Sequence, residues 1–166
     1  MLSEYGVAIE RLTVDHADAL LAFERENRKY FALSIADRGD EFFANFTEIL
    51  HARVAEQAEG VCHFHVLVEP DGTVVGRVNL IDVEDGSAEL GYRLAERVTG
   101  RGLATAAVRA IVQLAANEYG LRQLTAGAAL ANVASWTVLE RAGFQRVGET
   151  AGTRPQVAYL LRLEVL

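Results

Sequence analysis

Apolar and polar residues alternate over 7–12 (VAIERL), the period of a strand. The spacing then lengthens to that of a helix that gathers Leu20, Leu21 and Phe23 on one side, with Thr13 or Asp15 as its cap. After a polar break, SIADRGD, residues 41–60 carry Phe42, Phe43, Phe46, Ile49, Leu50 and Val54 at helical intervals, and Gly60 supplies a stop. Period-2 patterning returns in VCHFHVLVE, TVVGRVNLIDVE and SAELGYRL, separated by the turn pairs Asp71-Gly72 and Asp85-Gly86. These three stretches predict an antiparallel meander.

A long helix follows, in which Leu103, Ala107, Val108, Ile111, Leu114 and Ala115 share one broad face before Gly120 ends it. QLTAGAAL (123–130) reads as a buried strand, NVASWTVLERAGF (132–144) as a short helix, and FQRVGE and VAYLLRLEV as closing strands. Gly143 suits the left-handed position after the last helix, with Phe144 packing back on Leu139. The order is strand, two helices, three strands, helix, strand, helix, two strands. It predicts an α/β (α+β) chain with a mixed sheet and helices on its faces, and it does not alternate strictly enough for a doubly wound fold. No repeat, low-complexity tract or linker interrupts it, so residues 1–166 read as one domain.

The totals narrow the chemistry. Sixteen basic and 23 acidic residues give a net charge of −7, which argues against a general grip on nucleic acid or anionic membrane and favours a small cationic or amine substrate. The single cysteine, Cys62, excludes an internal disulfide, and the N-terminus shows neither a leader nor a membrane span, which together predict a soluble protein of a reducing cytoplasm. Cys62, His63 and His65 invite a metal reading. No second ligand pair elsewhere completes a zinc set, so no metal is expected.

The stretch ERVTGRGLATAAV (96–108) places two glycines at the start of the long helix. A helix N-terminus offers free N–H groups and a positive dipole end to phosphate. A dinucleotide fingerprint needs a third small residue where Thr105 stands, and a triphosphate loop needs a Gly-Lys pair, whereas the sole lysine is Lys29. What remains is Arg97-x-x-Gly100-x-Gly102-Leu-Ala between a strand and a helix.

This pattern resembles the pyrophosphate loop of the GCN5-related N-acetyltransferase (GNAT) superfamily. AELGYRL before it and ALANVASWTVLERAGF after it are similar to runs in the ribosomal-protein-alanine N-acetyltransferase-like branch. The resemblance extends over residues 7 to 164. It implies a GNAT fold with a central sheet of about seven strands and helices on both faces. It also implies acetyl transfer from acetyl-CoA to a primary amine, of a protein N-terminus or a small molecule, by direct attack through a tetrahedral intermediate. By the same carry-over, Arg97, Val98, Gly100, Arg101, Gly102, Leu103 and Ala104 hold the pyrophosphate. Backbone of Leu90, Tyr92 and Leu94, with Asn132, meets the pantetheine arm. Glu89 receives the amine proton directly or through water, Ser135 supplies one to the departing thiolate, and Tyr30 and Phe31 wall the acceptor side. The resemblance is also compatible with a homodimer, although no stretch of the chain identifies an interface.

Plainer roles stand beside these. Glu89 also reads as a solvated carboxylate or a partner of Arg93, Asn132 and Ser135 as helix-start capping residues, and Tyr30 and Phe31 as core. Near pH 7 an α-amino group is about 10% neutral and a lysine about 0.04%, so an N-terminal amine asks less of Glu89 as base. The C-terminal loop departs from many relatives, with Pro155-Gln156 where an Asp-His pair often stands, and that loop usually shapes the acceptor pocket. The competing reading is an acyl-CoA-binding sensor or interaction module of the same fold without turnover, and a third is acetylation of an aminoglycoside or another small amine.

Overall fold

The computed structural model describes residues 2–164. In chain order the elements are β1 (Ala8–Arg11), α1 (Ala17–Glu26), α2 (Arg28–Ala32), α3 (Asp40–Ala44), α4 (Phe46–Ala58), β2 (His63–Val68), β3 (Val74–Glu84), β4 (Ser87–Leu94), α5 (Leu103–Asn117), β5 (Gln123–Ala129), α6 (Val133–Arg141), β6 (Gln145–Glu149) and β7 (Gln156–Arg162). The meander, the long helix and the capping of α6 form as the pattern predicts. Gly143 sits at φ +98°, Phe144 N–H bonds to Leu139 C=O at 3.0 Å and Gly143 N–H to Glu140 C=O at 3.0 Å. That is the paired-bond helix stop for which a left-handed glycine is needed.

Two helical expectations change. Residues 28–32, which the pattern leaves between the first two helices, wind into α2 because Asn27 closes α1 and starts α2 at once: Phe31 N–H bonds back to Asn27 C=O at 2.8 Å. The stretch 41–60 breaks at Asn45 into α3 and α4. The last strand stops at Arg162 rather than 165, and Val165 lies outside the described residues.

The seven strands form one sheet in the order β1-β2-β3-β4-β5-β7-β6, antiparallel except for β4 and β5. Register places Val78 and Leu80 of β3 opposite Tyr92 and Leu90 of β4, and His65 of β2 opposite Val78, so these side chains share one face. Helix α5 covers that face, burying Leu103, Ala107, Val108, Ile111 and Ala115. Arg77, Asn79, Gly91 and Arg93 belong to the other face, under α1, α2 and α4. There the buried Gln57 of α4 satisfies two backbone groups, donating to Leu12 C=O at 2.9 Å and accepting from Phe64 N–H at 2.7 Å. No helix among the described residues is long and apolar enough to cross a membrane.

The strand histidines are structural in their surroundings. His63 stacks on Tyr119 with ring centroids 3.7 Å apart, and His65 Nε2 lies 2.6 Å from the Tyr119 hydroxyl. Arg11 donates to both His63 Nδ1 and Tyr119 Oη. Burial pushes the His65 imidazole down to about 4, with Arg11 and His63 lowering it further against a bond to Val78 C=O. The unfolded chain therefore binds a proton at His65 near pH 6.5 that the folded chain refuses until about pH 4. Stability from this group is complete above pH 6.5 and is lost as pH falls toward 4. Urea unfolding across that window should show a loss that flattens in His65→Gln; an identical slope in the variant would remove His65 as its source.

Candidate active site

Strands β4 and β5 pair over only three positions, Ser87–Gln123, Ala88–Leu124 and Glu89–Thr125. Beyond Glu89 the ladder ends and the strands diverge, while β5 remains held through seven pairs with β7 on its other edge. Residues 90–94 of β4 thus present a backbone edge without a β5 partner to a cleft of about 760 Å³. The cleft is lined on one side by Leu90 to Leu94 and on the other by Ala126 to Ala129. Small side chains on β5 keep it open.

At one end lie Gly100 and Gly102. Gly102 takes φ +89° and is the N-cap of α5, with no side-chain hydrogen bond covering the first turn. The N–H groups of that turn and the positive end of a 15-residue helix are therefore directed at the cleft without a competing protein acceptor from the cap. Ala104 also lines it. Leu103 and Val98 are buried in the core and anchor the loop instead of lining the cleft, and Arg101 is exposed. Arg97, at the edge of the loop, donates to the Glu69 carboxylate from both terminal guanidinium nitrogens, which raises its pKa.

Helix α6 closes the other wall. Asn132 caps it, its Oδ1 accepting from Ser135 N–H at 3.2 Å. The Tyr92 hydroxyl donates to Ser135 C=O at 3.3 Å and lies 3.4 Å from Ser135 Oγ. Two hydroxyls thus meet in the cleft across strand and helix. Burial pushes the Tyr92 phenol up, opposed by its contact with Ser135, so it stays a proton-bearing group. Sequence reading assigned Tyr92 through its backbone alone; its side-chain role depends on a contact 43 residues away.

On the opposite side of the sheet, Tyr30 and Phe31 of α2 line the cleft with Ser34, Ile35 and Arg38. Glu89 is exposed at the last paired position, one residue before the divergence, and is not among the lining residues. Arg77, Asn79 and Arg93 also line the cleft and were missed. Strand alternation alone puts them on the face of Glu89 and Gly91, which was the available signal.

Known proteins resemble the chain in family and in fold. The family model described as an acetyltransferase (GNAT) domain matches residues 7–145. A Bacillus subtilis (strain 168) protein named "Probable N-acetyltransferase YjcK" is 30% identical over 156 residues, covering 89% of this chain and 85% of that one. Among solved structures, a ribosomal-protein-S5-alanine acetyltransferase from Vibrio fischeri superposes with a TM-score of 0.88 at 18% identity, covering 95% of this chain and 93% of that chain. Mycobacterium smegmatis RimJ in complex with CoA-disulfide superposes at 0.83 and 22% identity, covering 94% and 81%. The chain belongs to the GNAT acetyltransferase family and is an N-acetyltransferase.

Proposed function

We propose that this member of the GNAT family transfers the acetyl group of acetyl-CoA to a primary amine by direct attack, the whole chain acting as one catalytic domain. The observation that carries this reading is the divergence of β4 from β5 directly after Glu89, leading to the uncapped N-terminus of α5. The unpaired edge at 90–94 offers N–H and C=O groups to the amides of a pantetheine arm, as a further strand would. Gly100 and Gly102 let the α5 N–H groups converge on a pyrophosphate. Arg97, turned to Glu69, serves the loop by holding its flank.

The chemistry needs a neutral amine, polarisation of the thioester carbonyl, and a proton for the leaving thiolate. In our reading Glu89, open to solvent at the crotch of the strands, takes the amine proton through water. Backbone N–H of the β4 edge receives the developing oxyanion. Ser135 Oγ gives its proton to the departing sulfur, and Tyr92, 3.4 Å away, orients that hydroxyl. The soluble cytoplasm is the setting we assign to it.

The test is incubation with acetyl-CoA and a pooled panel of peptides and small amines, read as free CoA and acetylated mass. Acceptor-dependent CoA release is expected. Tight acetyl-CoA binding with none across the panel would mean a sensor. Ser135→Ala should lower kcat about 100-fold, the lower range of general-acid effects, with acetyl-CoA affinity nearly unchanged. Glu89→Gln should slow the reaction chiefly below pH 7, where the amine is protonated, and an unaltered pH profile would remove Glu89 from the mechanism.

A further inference from the structure

The acceptor side of the cleft carries a surplus of positive charge that the overall acidity of the chain conceals. Arg77 donates to Glu24 Oε1 at 2.9 Å, Arg38 to Oε2 at 3.2 Å, and Arg93 lies 3.5 Å from Oε2. All three residues line the cleft. Glu24 is 1% exposed, so one buried carboxylate serves three cations. The neighbouring acids Asp37 and Asp40 are both held by Arg28 at 2.8 to 3.0 Å and do not neutralise the group. Arg93 lies over Phe31 with its guanidinium carbon 4.7 Å from the ring centroid, and Arg38 over Phe42 at the same distance. Such stacking fixes the planes of the two guanidiniums and leaves their edges for hydrogen bonds. Burial first, and then the charges of Arg38 and Arg77 against the opposing pull of Glu24, bring Arg93 down to about 10.

A structural ion pair would be balanced. Arg77 is buried while Arg38 and Arg93 are half-buried, so the excess charge is only partly met by water; an anion would complete it, and a planar fork of N–H donors matches a carboxylate in two bonds. One further polar atom lies on the same wall: Asn79 Oδ1 is shut off from solvent and has no hydrogen-bond partner among the described residues. Asn79 stands opposite Gly91 of β4, where no side chain intervenes. Being shut off from solvent, this oxygen is not part of the surface that a ligand in the cleft touches.

We infer that the acetyl acceptor is an amine that carries a carboxylate, the carboxylate held at the wall formed by Arg38, Arg77 and Arg93. This rests on the acetyl-transfer reading and names its substrate class. It reverses the expectation of a cationic substrate, because the charge that matters is local: three cations against one anion at the wall, within a chain of net charge −7. A polyamine would meet repulsion there.

The experiment compares acceptors in pairs that differ by one charge. In the first arm, free amino acids are set against their C-terminal amides; in the second, C-amidated peptides beginning Ala-Glu are set against Ala-Gln; spermidine is the cationic control. Acceptor KM is read from turnover. Affinity is read separately, by calorimetry of CoA-loaded protein with the N-acetylated products and their amides. The charged member should win at least tenfold in one arm, the first assigning a free amino acid and the second an acidic peptide. Arg93→Gln should erase most of that preference while acetyl-CoA affinity changes less than twofold, and Arg93→Lys should restore part of it. Equal use and equal binding of both members in both arms, or better use of spermidine, would overturn the inference. So would an Arg93→Gln protein in which acetyl-CoA binding falls as much as acceptor binding, since the arginines would then serve the cosubstrate. Product binding that prefers the carboxylate without any turnover would uphold the site and reject the acetyl-transfer reading instead.

Discussion

Glu24→Ala is expected to destabilise the fold by about 3 to 5 kcal/mol, the range found when one partner of a buried ion pair is removed. Glu24 contributes the only carboxylate that touches Arg38, Arg77 and Arg93 among the described residues. Its loss leaves Arg77, itself 8% exposed, with no counter-charge in contact. Domains of this kind are stable by about 5 to 15 kcal/mol, so the variant should stand near the edge of folding at 37 °C. Urea titration at pH 7 measures the effect. A carboxylate ligand should restore part of the loss, because an anion bound only by the folded state stabilises it by mass action. A loss below about 1 kcal/mol would show that the arginines relax to solvent without Glu24 and that the cluster is not a tight group.

Leu20, Phe23, Glu24 and Asn27 fall at i, i+3, i+4 and i+7, so the helical period already puts Glu24 on the buried stripe of α1. Its partners were hidden because Arg77 and Arg93 arrive from strands 53 and 69 residues later, and only the sheet register brings them together. The same division runs through the molecule. The meander turns, the glycine loop and the stop at Gly143 are local, and each depends on backbone geometry that a few residues specify. The split of 41–60 at Asn45 and the winding of 28–32 into α2 turn on single asparagines that end one helix and begin the next, a junction that apolar periodicity does not mark. The divergence of β4 from β5 is the early end of one ladder while β5 stays paired with β7 along its other edge, and neither strand's own pattern announces it. Predicted positions also separate by kind: Gly100, Gly102, Asn132, Ser135, Tyr30 and Phe31 line one cleft, whereas Arg97 and Glu89 are turned to other surroundings.

Gly102→Val is expected to weaken acetyl-CoA binding by about 100-fold or more while leaving a folded protein. The backbone at Gly102 stands at φ +89°, which a β-branched residue reaches only with strain of about 1 to 3 kcal/mol. A Cβ there would also meet the Tyr5 hydroxyl at 2.8 Å. The second obstacle is minor, because Tyr5 can swing its far end aside; the first is relieved only by a different φ, which turns the α5 N–H groups away from the cleft. Hydrogen bonds to a charged group contribute about 1.5 to 3 kcal/mol each, so misdirecting two gives about 3 to 6 kcal/mol, or roughly 10² to 10⁴ in Kd. The strain alone lowers Tm by only about 3 to 10 °C in a chain of this size. Calorimetry with acetyl-CoA and a thermal scan separate the two effects. Placing the change in a Tyr5→Phe background tests which obstacle dominates, and binding should stay weak there. If Gly102→Val instead held acetyl-CoA within threefold of the unaltered protein, the N-terminus of α5 would not be where the pyrophosphate sits, and the orientation of the cosubstrate along β4 would have to be reversed.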